Sequence, residues 1–430
     1  MLGYITNNAM FQACIAFLIF IGTSGEVWYQ PEQIHLSATG DPTEMIVTWS
    51  TFNDTESQVQ FGVTVAKYTS SGSSTKFVDG GPEKHTQFIH RVKLTKLIPG
   101  SKYVYRCGCN KGWSSLFFFT ALRDGTDWSP RLVIYGDMGN ENAQSLGRLQ
   151  IGAQKGSFDA IFHVGDFAYD FNINNGHVGD DFMRQIEPVA AYVPYMTAVG
   201  NHEYAYNFSH YKNRFTMPMY EDNQNLWYSW NLGSAHIISF STEVYFFPQY
   251  SKETEKKQLK WLEADLKEAN KPKNRAEHPW IITMGHRPMY CSDTDAVDCG
   301  PDALSLRMVL EDLFYKYGVD LEMWAHEHDY ERLWPVYHKK VYNGSTEAPY
   351  TNPKAPVHII TGSAGCREKH SNFNVTRPWD AFRTTDYGFT FMEIVNSTHL
   401  SLKQISDEKD GEVVDKFTLI KDAHGPDAWK

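Results

Sequence analysis

The sequence predicts an all-β sandwich at the N-terminus followed by a larger α/β domain. Residues 31–120 consist of short apolar runs separated by turn residues, which is typical of a small sandwich. From residue 131 onward, apolar runs of strand length alternate with helical stretches, which favours a sheet of buried strands. A chain of 430 residues is long enough for two or three domains of this kind.

The first 25 residues have the pattern of a signal peptide. Residues 10–22 form an apolar run, and small residues at 23–25 favour cleavage before Glu26. Because no Lys or Arg precedes the run, a buried helix and a true start at Met10 stay open as alternatives. We expect a secreted, extracellular protein, with the lysosome as the other compatible destination. No later apolar run reaches the ~18 residues that a membrane span needs, so no stable membrane anchor is expected.

Residues 26–122 are predicted to form the sandwich, and residues 123–130 a linker. The Trp of the run MIVTW, at 45–49, and the Pro-Gly turn before the run KYVYRC, at 102–107, suit a fibronectin III-like fold. This part of the chain shows no cluster of His or carboxylates in its sequence. We therefore expect a packing or interface role for it.

Residues 131–430 are predicted to form the α/β domain, and polar residues follow its apolar runs. Five short motifs each place an Asp, Asn, His or Tyr directly after such a run, where ligands bind in open α/β sheets. Glycines beside these polar residues permit tight turns and a close approach of the backbone. Any one motif is weak, but five in order indicate a site. They are GDMG (136–139), GDFAY (165–169), GNHE (200–203), GHRP (285–288) and AHEH (325–328).

This ordered set resembles the metallophosphoesterase superfamily, and the position of Tyr169 is similar to that in the purple acid phosphatases. The preceding sandwich is similar to the domain that precedes the catalytic one in plant-type and related animal members. The resemblance implies a catalytic domain in which a sandwich of β-sheets is flanked by helices. It also implies an acid phosphatase that hydrolyses phosphate monoesters.

The resemblance implies a centre of two metal ions. The first site would combine carboxylates, a phenolate and an imidazole, a hard and anionic set that suits ferric iron. The second would combine an amide oxygen and two imidazoles, which suit Zn²⁺, Fe²⁺ or Mn²⁺. Such a pair implies direct attack of a metal-bound hydroxide on phosphorus. The implied ligands are Asp137, Tyr169 and His328 at the first site, Asn201, His286 and His326 at the second, and Asp166 bridging both.

Two further residues take catalytic roles by the same resemblance. His202 is implied to contact the substrate phosphate and to protonate the leaving oxygen. Glu203 is expected to orient His202. Plant members carry a His pair shortly after His286, whereas this chain has the acidic segment 291–299 there. We expect that difference to disfavour polyanionic substrates such as ATP if the segment faces the site.

The cysteines and sequons fit an exported glycoprotein. Cys291 and Cys299 enclose a short acidic loop and are the expected disulfide. We expect Cys366 to lie in a disulfide or an interchain bridge, and the pairing of Cys107 and Cys109 stays open. The predicted N-glycosylation sites are Asn53, Asn207, Asn343, Asn374 and Asn396.

The formal net charge of −11 argues against nonspecific binding of nucleic acid, so a small phosphate ester is the expected partner. A homodimer is compatible with the sequence. Two alternatives stay open: a phosphodiesterase or nucleotide pyrophosphatase on the same centre, and a non-catalytic exported glycoprotein. Four other histidines lack ligand spacing and are expected to be ordinary core or surface residues: His35, His85, His90 and His163.

Overall fold

The computed structural model describes residues 27–294, 299, 305–373 and 375–429. The predicted signal peptide and the sequon at Asn374 lie outside the described residues. Within them, none of the helices has the length and apolar character needed to cross a membrane. The four remaining sequons lie at the surface, with Asn207 and Asn396 exposed and Asn53 and Asn343 half-buried.

The N-terminal domain is a sandwich of two antiparallel sheets. Its strands are β1 (Glu32–Ser37), β2 (Met45–Thr51), β3 (Gln58–Gly62), β4 (Tyr68–Ser71), β5 (Ser73–Val78), β6 (Thr86–Leu94), β7 (Lys102–Cys109), β8 (Gly112–Trp113) and β9 (Phe117–Thr120). One sheet has the order β1-β2-β6-β5, and the other β4-β3-β7-β8, with β9 also paired to β7. Trp49 lies in the core between the sheets and stacks on His90, with ring centroids 4.9 Å apart.

The second domain contains two larger sheets and the helices around them. Its strands are β10 (Arg131–Tyr135), β11 (Met138–Gly139), β12 (Ala160–Val164), β13 (Phe167–Ala168), β14 (Tyr195–Ala198), β15 (Tyr228–Leu232), β16 (Ala235–Ser239), β17 (Trp280–Met284), β18 (Leu321–Trp324), β19 (Tyr330–Leu333), β20 (Val336–Tyr337), β21 (Lys340–Val341), β22 (Val357–Thr361), β23 (Asp380–Thr384), β24 (Gly388–Ile394), β25 (His399–Ser406) and β26 (Glu412–Ile420). Its helices are α1 (Leu146–Lys155), α2 (His177–Ala190), α3 (Ala205–Arg214), α4 (Tyr220–Asn223), α5 (Glu243–Phe246), α6 (Pro248–Ala269), α7 (Pro272–Glu277) and α8 (Ser305–Lys316).

The two large sheets bring the carboxyl ends of their parallel strands to one place. The first has the order β14-β12-β10-β24-β25-β26, with β10, β12 and β14 parallel. The second has the order β15-β16-β17-β18-β22-β19-β23, with β16, β17, β18 and β22 parallel. Both contribute to one hydrophobic core, and the amide of Gly136, after β10, donates to the carbonyl of Thr361 at the end of β22. The loops that follow these strands therefore meet.

The sandwich docks on the second domain through buried and part-buried polar contacts as well as apolar ones. The amide of Ile34 donates to the Glu187 carboxylate of α2 at 3.0 Å. The Tyr105 hydroxyl donates to the carbonyl of Ala191 at 2.8 Å. The Arg91 guanidinium donates to the carbonyl of Asn213 at 2.6 Å. Each of these hydrogen bonds takes the place of a bond to water. Separating the domains would break them and return their polar groups to water.

His35 of β1 makes the fold sensitive to acid. Burial lowers its pKa to about 4, helped by the charges of Arg91 and Arg214. The native state therefore binds fewer protons than the unfolded chain between the unfolded pKa of 6.5 and about 4. The contribution of neutral His35 to the free energy of unfolding is fully present above pH 6.5. It is lost as the pH falls, and the total loss is about 3 kcal/mol.

We expect His35→Asn to remove this part of the pH dependence. The amide of Asn can still donate to the carbonyl of Gln33, which His35 Nδ1 contacts at 2.8 Å. Urea unfolding at pH 7.5 and pH 4.5 measures the difference, and the pH 7.5 value of each protein serves as its own baseline. Equal losses of unfolding free energy in both proteins would contradict the assignment to His35.

Candidate metal centre

The structure places all seven implied ligands in loops that follow parallel strands. In the first large sheet, Asp137 follows β10, Asp166 and Tyr169 follow β12, and Asn201 follows β14. In the second, His286 follows β17, whereas His326 and His328 follow β18. This is the arrangement that the sequence motifs predict. The two sheets therefore contribute ligand candidates to one region.

Three of these side chains form one group. The Tyr169 hydroxyl donates to Asp137 Oδ1 at 3.1 Å and lies 2.8 Å from His328 Nε2. His328 Nε2 is 3.6 Å from the same Asp137 oxygen. The other oxygen of Asp137 accepts a hydrogen bond from the amide of His326 at 2.9 Å. A carboxylate, a phenol and an imidazole thus converge in the combination implied for the first metal.

Four side chains form the adjoining group. His286 Nε2 lies 3.1 Å from both Asn201 Oδ1 and Asp166 Oδ2. His326 Nδ1 is 3.2 Å from the same nitrogen of His286. Nδ1 of His286 contacts the carbonyl of Val164 at 2.8 Å, which fixes the ring with Nε2 toward the centre. An amide oxygen, a carboxylate and two imidazoles thus meet, as implied for the second metal.

The charge of Asp166 acts on both groups. Burial raises the pKa of Asp137 well above its usual range, and the Asp166 carboxylate raises it further. Burial and the charges of Asp137 and Asp166 likewise raise the pKa of Tyr169 well above its usual range. In the other group, burial lowers the pKa of His286, but Asp166 and Asp137 outweigh it and raise that pKa to about 10.

These buried acids and phenol fit metal ions. Asp137, Asp166 and Tyr169 are each at most 1% exposed, so a nearby cation is needed to hold them all ionised. Oxygen donors with a phenolate suit Fe³⁺, and the set richer in imidazole suits Zn²⁺, Fe²⁺ or Mn²⁺. Ligand atoms of Asp166, His286 and His326 already lie within 4.8 Å of one another. The residues present therefore fit a dinuclear centre.

Two glycines of the motifs permit this close packing. A Cβ on Gly200 would lie 2.2 Å from Asp166 Oδ1, and a Cβ on Gly165 would lie 2.4 Å from His286 Nδ1. Both distances are far below van der Waals contact, and Gly165 also has a φ of 85°. These two positions need glycine because the ligand candidates occupy the space that a Cβ would fill.

His202 lies beside the two groups and is oriented by a residue that the motif analysis did not name. Its Nδ1 contacts Asp170 Oδ1 at 2.8 Å, and Arg367 donates to the other oxygen of Asp170 at 3.0 Å. Its Nε2 lies 3.9 Å from Asp166 Oδ2 and 3.7 Å from Glu368 Oε1. Burial lowers the pKa of His202, but Asp166 and Asp170 outweigh it and raise that pKa to about 9.

Glu203 has a different task from the one expected of it. Its carboxylate accepts hydrogen bonds from the amides of Asp166, Phe167 and Gly200 at 2.8–3.0 Å. The prediction that Glu203 orients His202 is therefore wrong, because the carboxylate that contacts the His202 ring belongs to Asp170. The buried carboxylate of Glu203 instead joins the loop after β12 to the loop after β14.

We expect Glu203→Gln to weaken metal binding about 10- to 100-fold. The amide nitrogen of Gln cannot accept a hydrogen bond, so at least one of the three backbone amides would lose its partner. Metal retained after dialysis against a graded chelator measures the effect. Glu263→Gln is the control, since Glu263 is partly exposed on α6, where it pairs with Lys267 and Lys316 and accepts a hydrogen bond from Tyr317. Equal retention in both variants would count against this role.

The structure contains the expected Cys291–Cys299 disulfide. Cys291 Sγ lies 3.9 Å from Glu327, between the two histidines of the AHEH motif, so the bridge abuts the centre. Of the three Asp residues in the enclosed loop, Asp293 is buried, and the positions of Asp295 and Asp298 are outside the described residues. The expected effect of this loop on ATP stays a prediction.

Cys366 is not in the bridge that the sequence suggested. Among the described residues it is a free thiol, 1% exposed, with Sγ 3.6 Å from His328 Nδ1. Burial raises its pKa to about 12, so it is protonated. Cys107 and Cys109 are also free and buried in the sandwich. The expected disulfide within the chain is therefore absent among the described residues, because the fold encloses Cys366 beside His328, whereas the interchain bridge stays a prediction.

Comparison with known proteins agrees with this geometry. Three family models match the chain: "Purple acid Phosphatase, N-terminal domain" over residues 31–121, "Calcineurin-like phosphoesterase" over 130–330 and "Iron/zinc purple acid phosphatase-like protein C" over 355–416. Among curated proteins, acid phosphatase type 7 of Danio rerio is 56% identical, covering 93% of this chain and 94% of the relative. The protein of the same name in Homo sapiens is 53% identical over 96% of each.

A solved structure extends the similarity to the fold. The purple acid phosphatase PPD1 from seeds of yellow lupin (Lupinus luteus) superimposes with a TM-score of 0.77. It is 26% identical, and the match covers 92% of this chain and 75% of the lupin chain. The likeness therefore spans the sandwich as well as the domain that carries the metal centre.

Proposed function

The chain belongs to the purple acid phosphatases, a family with a calcineurin-like phosphoesterase domain, and we propose that it is an exported acid phosphatase acting on small phosphate monoesters. The observation that carries the proposal is the pair of adjoining ligand groups, with the charge of Asp166 acting on both. In the proposed centre, Asp137, Tyr169 and His328 would hold Fe³⁺, whereas Asn201, His286 and His326 would hold Zn²⁺, Fe²⁺ or Mn²⁺.

A metal pair in such a site supplies hydroxide at acid to neutral pH and offsets the charge of the phosphate. The protein keeps the donors in place through the backbone contacts of Glu203 and the carbonyl of Val164. His202 holds a proton at Nε2, directed toward the centre, and delivers it to the leaving oxygen. Asp170 fixes the ring by accepting a hydrogen bond from Nδ1.

Export is supported by the chemistry of the chain. Disulfides persist in oxidising compartments, and the chain carries the Cys291–Cys299 bridge. The sequons at Asn207 and Asn396 are exposed, so both could accept a glycan. Glycan mapping of protein secreted from a eukaryotic host tests this part separately.

We expect Tyr169→Phe to abolish a visible absorption band of the purified protein. The band would arise from charge transfer between the phenolate and Fe³⁺, and Phe has no oxygen to donate. Absorption spectra with elemental analysis of both proteins make the measurement. Tyr135→Phe is the control, because Tyr135 is a buried tyrosine whose hydroxyl contacts Tyr195 instead. A colourless wild-type protein with a full complement of metal would contradict the ferric site.

The substrate class is tested on the same preparation. The proposal predicts that p-nitrophenyl phosphate is hydrolysed with a higher kcat/KM than bis-p-nitrophenyl phosphate at acid pH. A preference for the diester, or for a nucleotide pyrophosphate bond, would instead support a phosphodiesterase on the same centre. Inertness toward every phosphate ester with metal bound would support the non-catalytic alternative.

A further inference from the structure

A second cluster of metal-binding side chains lies between the two domains and shares no residue with the centre described above. His85 comes from the sandwich, just before β6, whereas His177 and Asp180 belong to the first turn of α2. Their ligand atoms lie within 4.8 Å of one another. No local pattern in the sequence indicates this cluster, because the partners of His85 are about a hundred residues away and in the other domain.

The geometry is close to that of a zinc site. His85 Nε2 lies 2.8 Å from Asp180 Oδ2, and His177 Nδ1 lies 4.0 Å from the same oxygen. The two imidazole rings have centroids 4.3 Å apart. Around a tetrahedral ion with bonds of about 2.0–2.1 Å, ligand atoms are separated by about 3.3 Å, so shifts below about 1 Å would complete the geometry.

Asp180 is prepared for such a role by its other contacts. Its side chain is fully buried, and Oδ1 is occupied by the Arg214 guanidinium and the Gln87 amide, each at 2.8 Å. Oδ2 is thereby directed toward the two histidines. Metal-bound carboxylates are commonly fixed by hydrogen bonds of this kind. Asp79, whose amide donates to the carbonyl of His85 at 2.8 Å and whose carboxylate pairs with His210, adds a negative charge beside the cluster.

The site also has a route of entry. The side chain of His177 is 44% exposed, so an ion could reach the cluster and His177 could move to meet it. A solvent molecule would take the fourth position. Two imidazoles and one carboxylate form a ligand set that zinc proteins use.

We propose that His85, His177 and Asp180 form a separate Zn²⁺ site that joins the sandwich to the second domain. The ion would replace the proton between His85 and Asp180 and recruit His177. Because the unfolded chain lacks this arrangement, Zn²⁺ at a hundred times its Kd would raise the ratio of folded to unfolded protein about 100-fold. The site would thus stabilise the docking of the two domains.

The test counts zinc in the holoprotein. Protein whose catalytic metals have been measured is dialysed against micromolar Zn²⁺, and bound zinc and Tm are measured. We expect wild type to gain one zinc per chain and a higher Tm. His177→Ala should gain neither, and should keep its catalytic metals and its activity. His338→Ala should behave as wild type, since His338 is an exposed histidine that pairs with Asp312 and belongs to neither group of metal ligands.

Two results would overturn the proposal. One is a wild-type protein that gains no zinc beyond the catalytic metals. The other is an equal gain in wild type and His177→Ala, which would place the extra ion elsewhere. His177 is the residue to change because its side chain is 44% exposed, against 15% for His85, so its removal disturbs the packing between the domains less. The zinc count does not depend on turnover, so it stands even if the proposed phosphatase activity is not found.

Discussion

Asp166→Asn is expected to lower kcat by at least about 1,000-fold, equivalent to ~4 kcal/mol of transition-state stabilisation. The reason is that the Asp166 carboxylate adjoins both ligand groups: its Oδ2 lies 3.1 Å from His286 Nε2, and its charge raises the pKa values of Asp137 and Tyr169 in the other group. Asn preserves the shape of the side chain but removes this charge. The remaining ligands would hold two cations close together without the anion between them. We therefore expect lower metal content together with the loss of turnover.

Steady-state kinetics and elemental analysis on the same samples make this measurement. Asp159→Asn is the matched control, because Asp159 also borders β12 but pairs with Arg131 at 2.8 Å, at the opposite end of the strand. That variant should retain both metals and near wild-type kcat. Full metal content and full activity in Asp166→Asn would show that the carboxylate does not bridge the centre.

His202→Asn is expected to lower kcat by about 100- to 10,000-fold, with little change in metal content. The structure directs His202 Nε2 toward Asp166 and Glu368, and Asp170 holds the ring from the other side. The raised pKa of His202 keeps the imidazolium as the form present at acid pH. This contribution to rate is therefore complete at low pH and is lost as the pH rises through that pKa. The pH–rate profile of the variant should therefore lack this fall in rate at alkaline pH.

The leaving group distinguishes proton donation from a structural role. An alkoxide leaves poorly without a proton, whereas p-nitrophenolate leaves well. We therefore expect His202→Asn to lose more activity on an alkyl phosphate than on p-nitrophenyl phosphate. Asp170→Asn should show the same selectivity to a smaller degree, because it retains His202 but loosens its ring. An equal loss on both substrates would contradict the role of His202 as the acid.

The fold and the ligand candidates were predictable because both are encoded locally. Each motif joins an apolar run to polar residues, and parallel strands bring such ends together. Asp137 and His286 could thus be placed near each other although 149 residues separate them in the sequence. Asp170 could also have been predicted as a site residue, since it directly follows Tyr169, the last residue of the second motif.

The remaining features depend on contacts between distant segments, which no local pattern reveals. Glu203 follows His202 in the chain, but its carboxylate turns toward the amides of Asp166 and Phe167. The sequence does not reveal that the fold buries Cys366 against His328. His85 is predicted from the sequence to be an ordinary core or surface residue, and its contact with Asp180 of the other domain is not visible in the local sequence. In each case the side chain's partners, rather than its position in the sequence, determine its role.

A crystal structure of the purified protein, with anomalous scattering measured at the iron and zinc absorption edges, tests the central claim most directly. The claim predicts two metal ions about 3.5–4 Å apart. One would contact Asp137, Tyr169 and His328, the other Asn201, His286 and His326, with Asp166 touching both. A single ion at this place, or a pair of ions held by other side chains, would contradict it.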